Sequence, residues 1–366
     1  MTKVIVLTTG GTIGHRSGHD GVAVLDFDPQ GLADALNLTG IEIAFKAILR
    51  KGSMDIDPGD WRVIASAVAD AVAGRPRGVV ILHGTDTLAY TASALTFMLQ
   101  GLSIPVVMTG SMIPGGDPGS DALANLRDAI VTAATAEFAE VCVAFSADAE
   151  RSRGIVIRGC RARKVHSYAI DAFASINAPP IGFVEGGELK RSGLETRSRG
   201  ASVLKLAPDL DPNVVLVKLT PNLTPVMLAR ILDGASGAVL EGTGIGHIKT
   251  DLQDAVARFG KPVLITTQSV YGGERLGAYE ADRHILALPN IVQAGNMTSE
   301  AALAKLMWAL EQGGAASMPR SYAATVWPRM PRRRPRARRR LVSPGGRRGP
   351  RFAWRDRQRR CPARTR

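Results

Sequence analysis

Short Val- and Ile-rich runs alternate along this chain with longer stretches of helical period, the pattern of a parallel sheet flanked by helices. Strands are expected at 3–8, 78–82, 104–109 and 141–146. Between them, 58–73 puts Trp61, Ile64, Ala65, Val68 and Val72 on one helical face. The stretch 120–136, capped by Ser120-Asp121, turns Leu123, Leu126, Ile130 and Val131 inward,. From 184 to 209 the periodicity lapses into Glu185-Gly186-Gly187, Arg and Ser, which reads as a linker. A second set follows, with strands at 214–219, 237–241 and 262–266 and helices near 224–233, 250–259 and 299–312. The expected organisation is an α/β domain over 1–183 with helices on both faces of a parallel or mixed sheet. A linker over 184–209, a smaller α/β domain over 210–318 and a tail over 319–366 complete it. Two domains suit 366 residues, and 45% apolar residues supply their cores,.

The net charge of +13 belongs to the tail. Residues 329–366 hold 17 Arg, no Lys and one acid, Asp356, leaving a body with 29 basic and 32 acidic residues. That tail, rich in Arg, Pro and Gly, lacks the apolar surface to fold alone. Two readings of it stand: a frame-shifted gene end, favoured by the absence of Lys beside many Pro, Gly and Ala, and an arm that binds nucleic acid or another polyanion. The chain has no apolar run of 18 residues and no basic n-region ahead of an apolar h-region, so a membrane span and a leader are not expected. Three scattered cysteines, Cys142, Cys160 and Cys361, argue against a disulfide framework and fit a reducing cytoplasm,. No His/Cys cluster has metal-ligand spacing, so neither metal nor cofactor is expected.

Two turns carry the chemistry. Strand 3–8 runs into Thr8-Thr9-Gly10-Gly11-Thr12-Ile13-Gly14, and strand 78–82 into His83-Gly84-Thr85-Asp86-Thr87 ahead of a helical stretch, 88–100. Ligands bind at the carboxyl ends of strands in open parallel sheets, and a hydroxyl there can attack a carbonyl when a base and an oxyanion site stand nearby. Structural readings compete. The first turn also reads as a phosphate loop, although it lacks both G-x-x-x-x-G-K-[ST] and G-x-G-x-x-G spacing. Thr85-Asp86 is also a common helix cap.

Thr9-Gly10-Gly11-Thr12-Ile13-Gly14 and His83-Gly84-Thr85-Asp86-Thr87 resemble the two signature motifs of the bacterial-type L-asparaginases. The resemblance continues through Gly52-Ser53-Met54-Asp55, Thr109-Gly110-Ser111-Met112, the Asp121…Asn125-Leu126 helix, Arg158 to Val165 and Gly295-Asn296-Met297-Thr298. It covers residues 2–315. It implies a two-domain asparaginase-like fold and an L-asparagine amidohydrolase that releases aspartate and ammonia through an acyl-enzyme on Thr12. Thr85, Asp86 and Lys164 would form a second hydroxyl–carboxylate–amine set, with Lys164 as the base. Ser53, Gly84, Thr85, Asp86 and Ser111 would bind substrate. Asn222 and Glu280 would reach into a neighbouring subunit's site, making the active unit an oligomer, a dimer or a tetramer. The alternatives are an amidase acting on another amide such as glutamine, and an amino-acid sensor poor in turnover.

Three positions depart from that resemblance or weigh against it. The segment 14–27 has no Tyr, where the family usually brings one over the nucleophile; His15 and His19 are candidate replacements,. Met54 stands where many relatives carry Gln against the substrate amine, and a thioether is only a weak acceptor. Lys164 lies among Arg158, Arg161 and Arg163, which by themselves read as a solvated basic edge.

Overall fold

The computed structural model describes residues 1–10, 15–17, 23–25 and 29–313. Thr12, His19 and the tail from 319 lie outside them, as does the side chain of His15.

Eight strands make the first sheet: β1 (Thr2–Thr8), β2 (Ile41–Ala47), β3 (Gly78–Leu82), β4 (Val106–Thr109), β5 (Val141–Ser146), β6 (Arg153–Arg158), β7 (Gly182–Glu185) and β8 (Glu188–Arg191). Their order is β8-β7-β6-β5-β4-β3-β1-β2. The strands from β2 to β5 run parallel. The β6, β7 and β8 strands add to them antiparallel, so the sheet is mixed. From β1 the chain moves to one edge, and from β3 it builds toward the other. The strand order therefore reverses between β1 and β3, where Thr8 pairs with Leu82. Such a reversal opens a crevice at the carboxyl ends of the strands, and both threonine turns leave from there.

Alternate residues of these strands enter two cores. Leu7, Val79, Ile81, Met108 and Val143 pack under helices α2 (Pro58–Ala73) and α3 (Leu88–Met98). Val4, Val6, Val80, Leu82 and Val107 pack under α1 (Pro29–Leu36) and α4 (Ala122–Thr135). Helix α2 starts where the sequence says it should: Pro58 fills the first turn, while Asp57 and Asp60 close a reciprocal capping box,. Helix α3 is apolar nearly all round and buried, as a helix covered on every side must be.

The second sheet, β9 (Val214–Lys218), β10 (Gly237–Gly242), β11 (Val263–Thr267) and β12 (Ile291–Gln293), is parallel and follows chain order. Helices α5 (Pro225–Leu232), α6 (Thr250–Phe259) and α7 (Asp282–Ala287) cover one face. Helix α8 (Ser299–Glu311) covers the other and also meets α3, with the Phe97 and Trp308 rings 6.4 Å apart.

The chain thus has the expected two-part organisation, a large mixed-sheet unit followed by a smaller parallel-sheet one. Several details differ from the sequence reading, the unexpected β2 among them. Leu123 is exposed rather than turned inward. The stretch 184–209 opens as sheet, because Gly186 and Gly187 make the turn of a β7–β8 hairpin. Asp121 precedes α4, but its side chain does not cap the helix. Among the described residues, no helix is long and apolar enough to cross a membrane.

Candidate active site

The chain leaves β1 at Thr8. Thr9 is buried, and its hydroxyl donates to the Leu82 carbonyl at 3.0 Å, tying the first turn to the end of β3. Gly10 then takes φ +109°, and a Cβ there would lie 2.6 Å from the Lys51 carbonyl, so only glycine fits.

From Leu82 the second turn runs through His83, Gly84, Thr85 and Asp86 to α3. Thr85 is buried. Lys164 Nζ donates to Thr85 Oγ1 at 2.9 Å and to Asp86 Oδ1 at 2.7 Å. The three groups expected to act together therefore meet. The capping alternative does not hold, since the residue preceding α3 is Thr87, without a side-chain capping bond. Thr87 Oγ1 instead donates to the Ser53 carbonyl at 2.7 Å, and the Asp86 N–H donates to Ser53 Oγ at 3.2 Å. Ser53 is buried against the turn: a Cβ on Gly84 would stand 2.7 Å from its hydroxyl. Met54, next in sequence, is 78% exposed.

The basic stretch around Lys164 is not a solvated edge. Arg158 is buried and pairs with buried Glu140 through contacts of 2.7 and 3.1 Å. Arg161 is buried and donates to the Asn296 carbonyl and, at 2.9 Å, to its side-chain oxygen. Arg163 faces Glu300 at 3.6 Å. Lys164 sits in a short strand, Ala162–Lys164, opposite Phe173, whose ring packs 4.7 Å from that of Phe145. Only 17% of its side chain is exposed.

Beyond β4, Ser111 is buried, and its hydroxyl has no partner among the described residues. The loop carrying it is fixed by a network the sequence reading missed. Both Asp121 oxygens accept from the Met112 N–H at 3.0 Å, and one accepts from the Ile113 N–H at 3.0 Å. Asn125 donates to the Gly110 carbonyl at 3.0 Å and to Asp121 at 2.8 Å, while Ser146 donates to Asn125 at 2.7 Å. The i, i+4 spacing of Asp121 and Asn125 was the available signal. A second missed network runs through His83. Burial pushes this histidine down to about 4, with the Gly84 carbonyl pulling the other way, so it stays uncharged.

Asn222 and Glu280 do not join the Thr85 group by any hydrogen bond described. Asn222 is exposed in the turn after β9, and Glu280 is exposed, 4.0 Å from Arg283. Their sequence neighbours Pro221 and Tyr279, with His247 and Lys249, border a cavity of about 610 Å³. Among the described residues, no group of three or more His, Cys, Asp and Glu gathers as a metal site.

A carboxylate, an amine and a hydroxyl within hydrogen-bond reach, at the switch point of a doubly covered sheet, are the equipment of an enzyme that works through a hydroxyl and a base, as hydrolases do,. The chain belongs to the asparaginase family. The family model described as Asparaginase, N-terminal matches residues 3–194, and that described as Glutaminase/Asparaginase C-terminal domain matches 213–320. An L-asparaginase of Thermococcus kodakarensis is 42% identical over 320 residues, spanning 84% of this chain and 92% of its own length. The solved structure of the thermostable L-asparaginase from that organism matches with a TM-score of 0.77 at 41% identity, covering 84% of this chain and 93% of the other. A component of the glutamyl-tRNA(Gln) amidotransferase of Aeropyrum pernix is 36% identical over 318 residues, 84% of this chain and 74% of its own length.

Proposed function

We propose that this protein is an L-asparagine amidohydrolase working through a threonyl ester. The observation that carries the proposal is the contact of Lys164 Nζ with both Thr85 Oγ1 and Asp86 Oδ1. Thr12 attacks the side-chain amide carbon, the C–N bond breaks, and ammonia departs with the proton taken from the hydroxyl. Water, activated through Thr85 and Lys164, then cleaves the ester to aspartate and restores Thr12. Asp86 is 64% exposed on its side chain and holds a negative charge at the mouth of the site, placed to receive the substrate ammonium. The hydroxyls of Ser53 and Ser111 and the backbone at Gly84 supply the remaining polar contacts. Asn222 and Glu280, both exposed, complete a neighbouring subunit's site in a homo-oligomer, taken as a tetramer. The free, buried thiols of Cys142 and Cys160 suit a cytoplasmic location.

The test is ammonia release from asparagine by the wild type, Thr12→Ala and Thr85→Ala, with mass spectrometry of the trapped ester. Ester on Thr12 and loss of turnover in both variants is the expected result. Ester on Thr85 alone reverses the order of the threonines. No release from the wild type rejects the assignment.

A second reading draws on the relative named as part of an amidotransferase: the same site frees ammonia from an amide for a partner protein. Under that reading the isolated chain turns over slowly, and a partner accelerates it. Full asparagine hydrolysis by the chain alone decides against it.

A further inference from the structure

Behind the Thr85 turn lies a hydrogen-bond chain that the reaction does not touch. His83 is wholly buried, as is Thr91 on the first turns of α3, and Trp61 on α2 is 5% exposed. His83 Nδ1 lies 2.7 Å from the Gly84 carbonyl, and Nε2 lies 3.0 Å from Thr91 Oγ1. Trp61 Nε1 donates to that same hydroxyl at 3.0 Å.

The two ends of this chain fix every proton between them. An indole N–H only donates, and a peptide carbonyl only accepts. Nδ1 therefore carries the imidazole proton and gives it to Gly84. Nε2 accepts from the Thr91 hydroxyl, which in turn accepts from Trp61. A second ring proton would put two donors on Thr91 and leave its own hydrogen without an acceptor inside the core.

The Gly84 carbonyl belongs to the same peptide as the Thr85 N–H. That peptide is trans, since the backbone has no cis bond, and planar. A donor holding the carbonyl from the core side thus turns the Thr85 N–H away from the core. It also sets the Cα from which the hydroxyl reaches Lys164. On the far side Ser53 accepts from the Asp86 N–H. The turn is gripped at Gly84 by His83 and at Asp86 by Ser53, with Thr85 between them.

We propose that His83 is a positioning residue for this reaction: its Nδ1–H, fixed through Thr91 and Trp61, holds the Gly84–Thr85 peptide so that the Thr85 hydroxyl and amide meet the reacting carbonyl. The proposal rests on the amidohydrolase reading above. It makes His83 a determinant of kcat with little bearing on KM, since the ring itself never meets substrate. Asn at this position keeps an N–H donor near the place of Nδ1, whereas Leu keeps only bulk.

The experiment measures kcat and KM for asparagine, and Tm, in the full chain for wild type, His83→Leu, His83→Asn and Thr91→Val. Misplacement of a reacting group by about 1 Å costs on the order of 100-fold, so kcat of His83→Leu is expected to fall about 100-fold with KM within about twofold. His83→Asn recovers at least about tenfold of that loss at a Tm no higher than that of the Leu variant, a pattern lost packing does not produce. Thr91→Val keeps the bulk but leaves Nε2 without its donor. Its kcat falls about tenfold, and it carries the test if His83→Leu does not fold. Wild-type kcat in folded His83→Leu or Thr91→Val, or a loss confined to KM, overturns the positioning role alone. A wild type that releases no ammonia overturns the amidohydrolase reading, and this inference with it.

Discussion

Lys164 donates to the Thr85 hydroxyl at 2.9 Å, across 79 positions of sequence. The segment that carries the amine is anchored, since Arg158 and Arg161, earlier on it, are bonded to Glu140 and Asn296. Under the proposed reaction this amine is the base that takes the proton from a hydroxyl or a water there.

Lys164→Met is therefore expected to lower kcat for asparagine by on the order of 10²- to 10⁴-fold, the usual worth of a positioned base. Lys164→Arg does not rescue it, because a guanidinium keeps its proton and does not accept another. The pair with Asp86 is partly solvated and contributes little to folding, so Tm moves by no more than about 4 °C. Steady-state ammonia release and a thermal melt check both halves. Wild-type kcat in Lys164→Arg would refute the base assignment.

Met54 yields a prediction about selectivity. It lies in the turn that carries Ser53, is 78% exposed, and offers only a thioether sulfur, a weak acceptor,. If the proposed reaction holds, one ammonium contact fewer is expected to weaken the grip on substrate, and on the longer, looser glutamine more. The expected kcat/KM for asparagine exceeds that for glutamine by at least about tenfold, a difference of about 1.4 kcal/mol. Met54→Gln narrows the gap. Equal values in the wild type would contradict this account.

The two threonine turns were legible because each is contiguous: strand, glycine and hydroxyl follow one another, and the helix comes next. Most of the sheet was legible for a similar reason, since fully apolar runs such as Val79–Leu82 need no partner to be recognised. The β2 strand was missed although Ile41, Ile43 and Phe45 alternate with Glu42, Ala44 and Lys46, the period of a half-covered edge. The β7–β8 hairpin was missed because polar edge residues flanking Gly186-Gly187 look like linker. Lys164 could not be placed from its neighbours, because the acids and the amide that pair with Arg158, Arg161 and Arg163 are distant in the chain: Glu140, Asn296 and Glu300. His83 reads as part of a motif, but the Trp61 indole that bonds its partner Thr91 stands 22 positions earlier, on α2. Pairings of that kind are made by tertiary structure alone.

Lys305 gives a pH dependence of stability. It is 2% exposed on α8, with its amine 5.5 Å from the Phe97 ring, and burial pushes its ammonium down from 10.5 to about 7. Between those two values the unfolded chain binds a proton that the folded chain does not. Stability from this group therefore rises with pH over that window, and the penalty is fully present below about 7,. Lys305→Met removes the penalty and keeps the stem's packing. Its Tm is expected to exceed the wild-type value at pH 6.5 and to converge on it, or fall below it, near pH 10. Calorimetry at both values decides, and a Tm difference that does not change with pH would reject the argument.

The last prediction concerns the tail. The matched family models end at residue 320, and all 17 Arg of the strongly basic end lie beyond it. Two causes of that composition predict different behaviour. A frame-shifted end has no role, so deleting 319–366 leaves kcat, KM and Tm as they were and improves solubility at most. A selected arm binds polyanions by counterion release, and its affinity falls steeply with salt. The full chain is then retained on heparin at low ionic strength, and the truncated chain, whose body carries an acidic excess, passes through. Retention alone does not separate the two causes, because any Arg-rich segment sticks to a polyanion. The deciding measurement is mass spectrometry of the protein from its native source. A peptide from 329–366 in cells, together with altered turnover when the segment is removed, establishes the arm. Its absence, with a different carboxyl-terminal peptide in its place, establishes the shifted frame. The second outcome is expected, since selection for phosphate contact gives no reason to exclude Lys so completely.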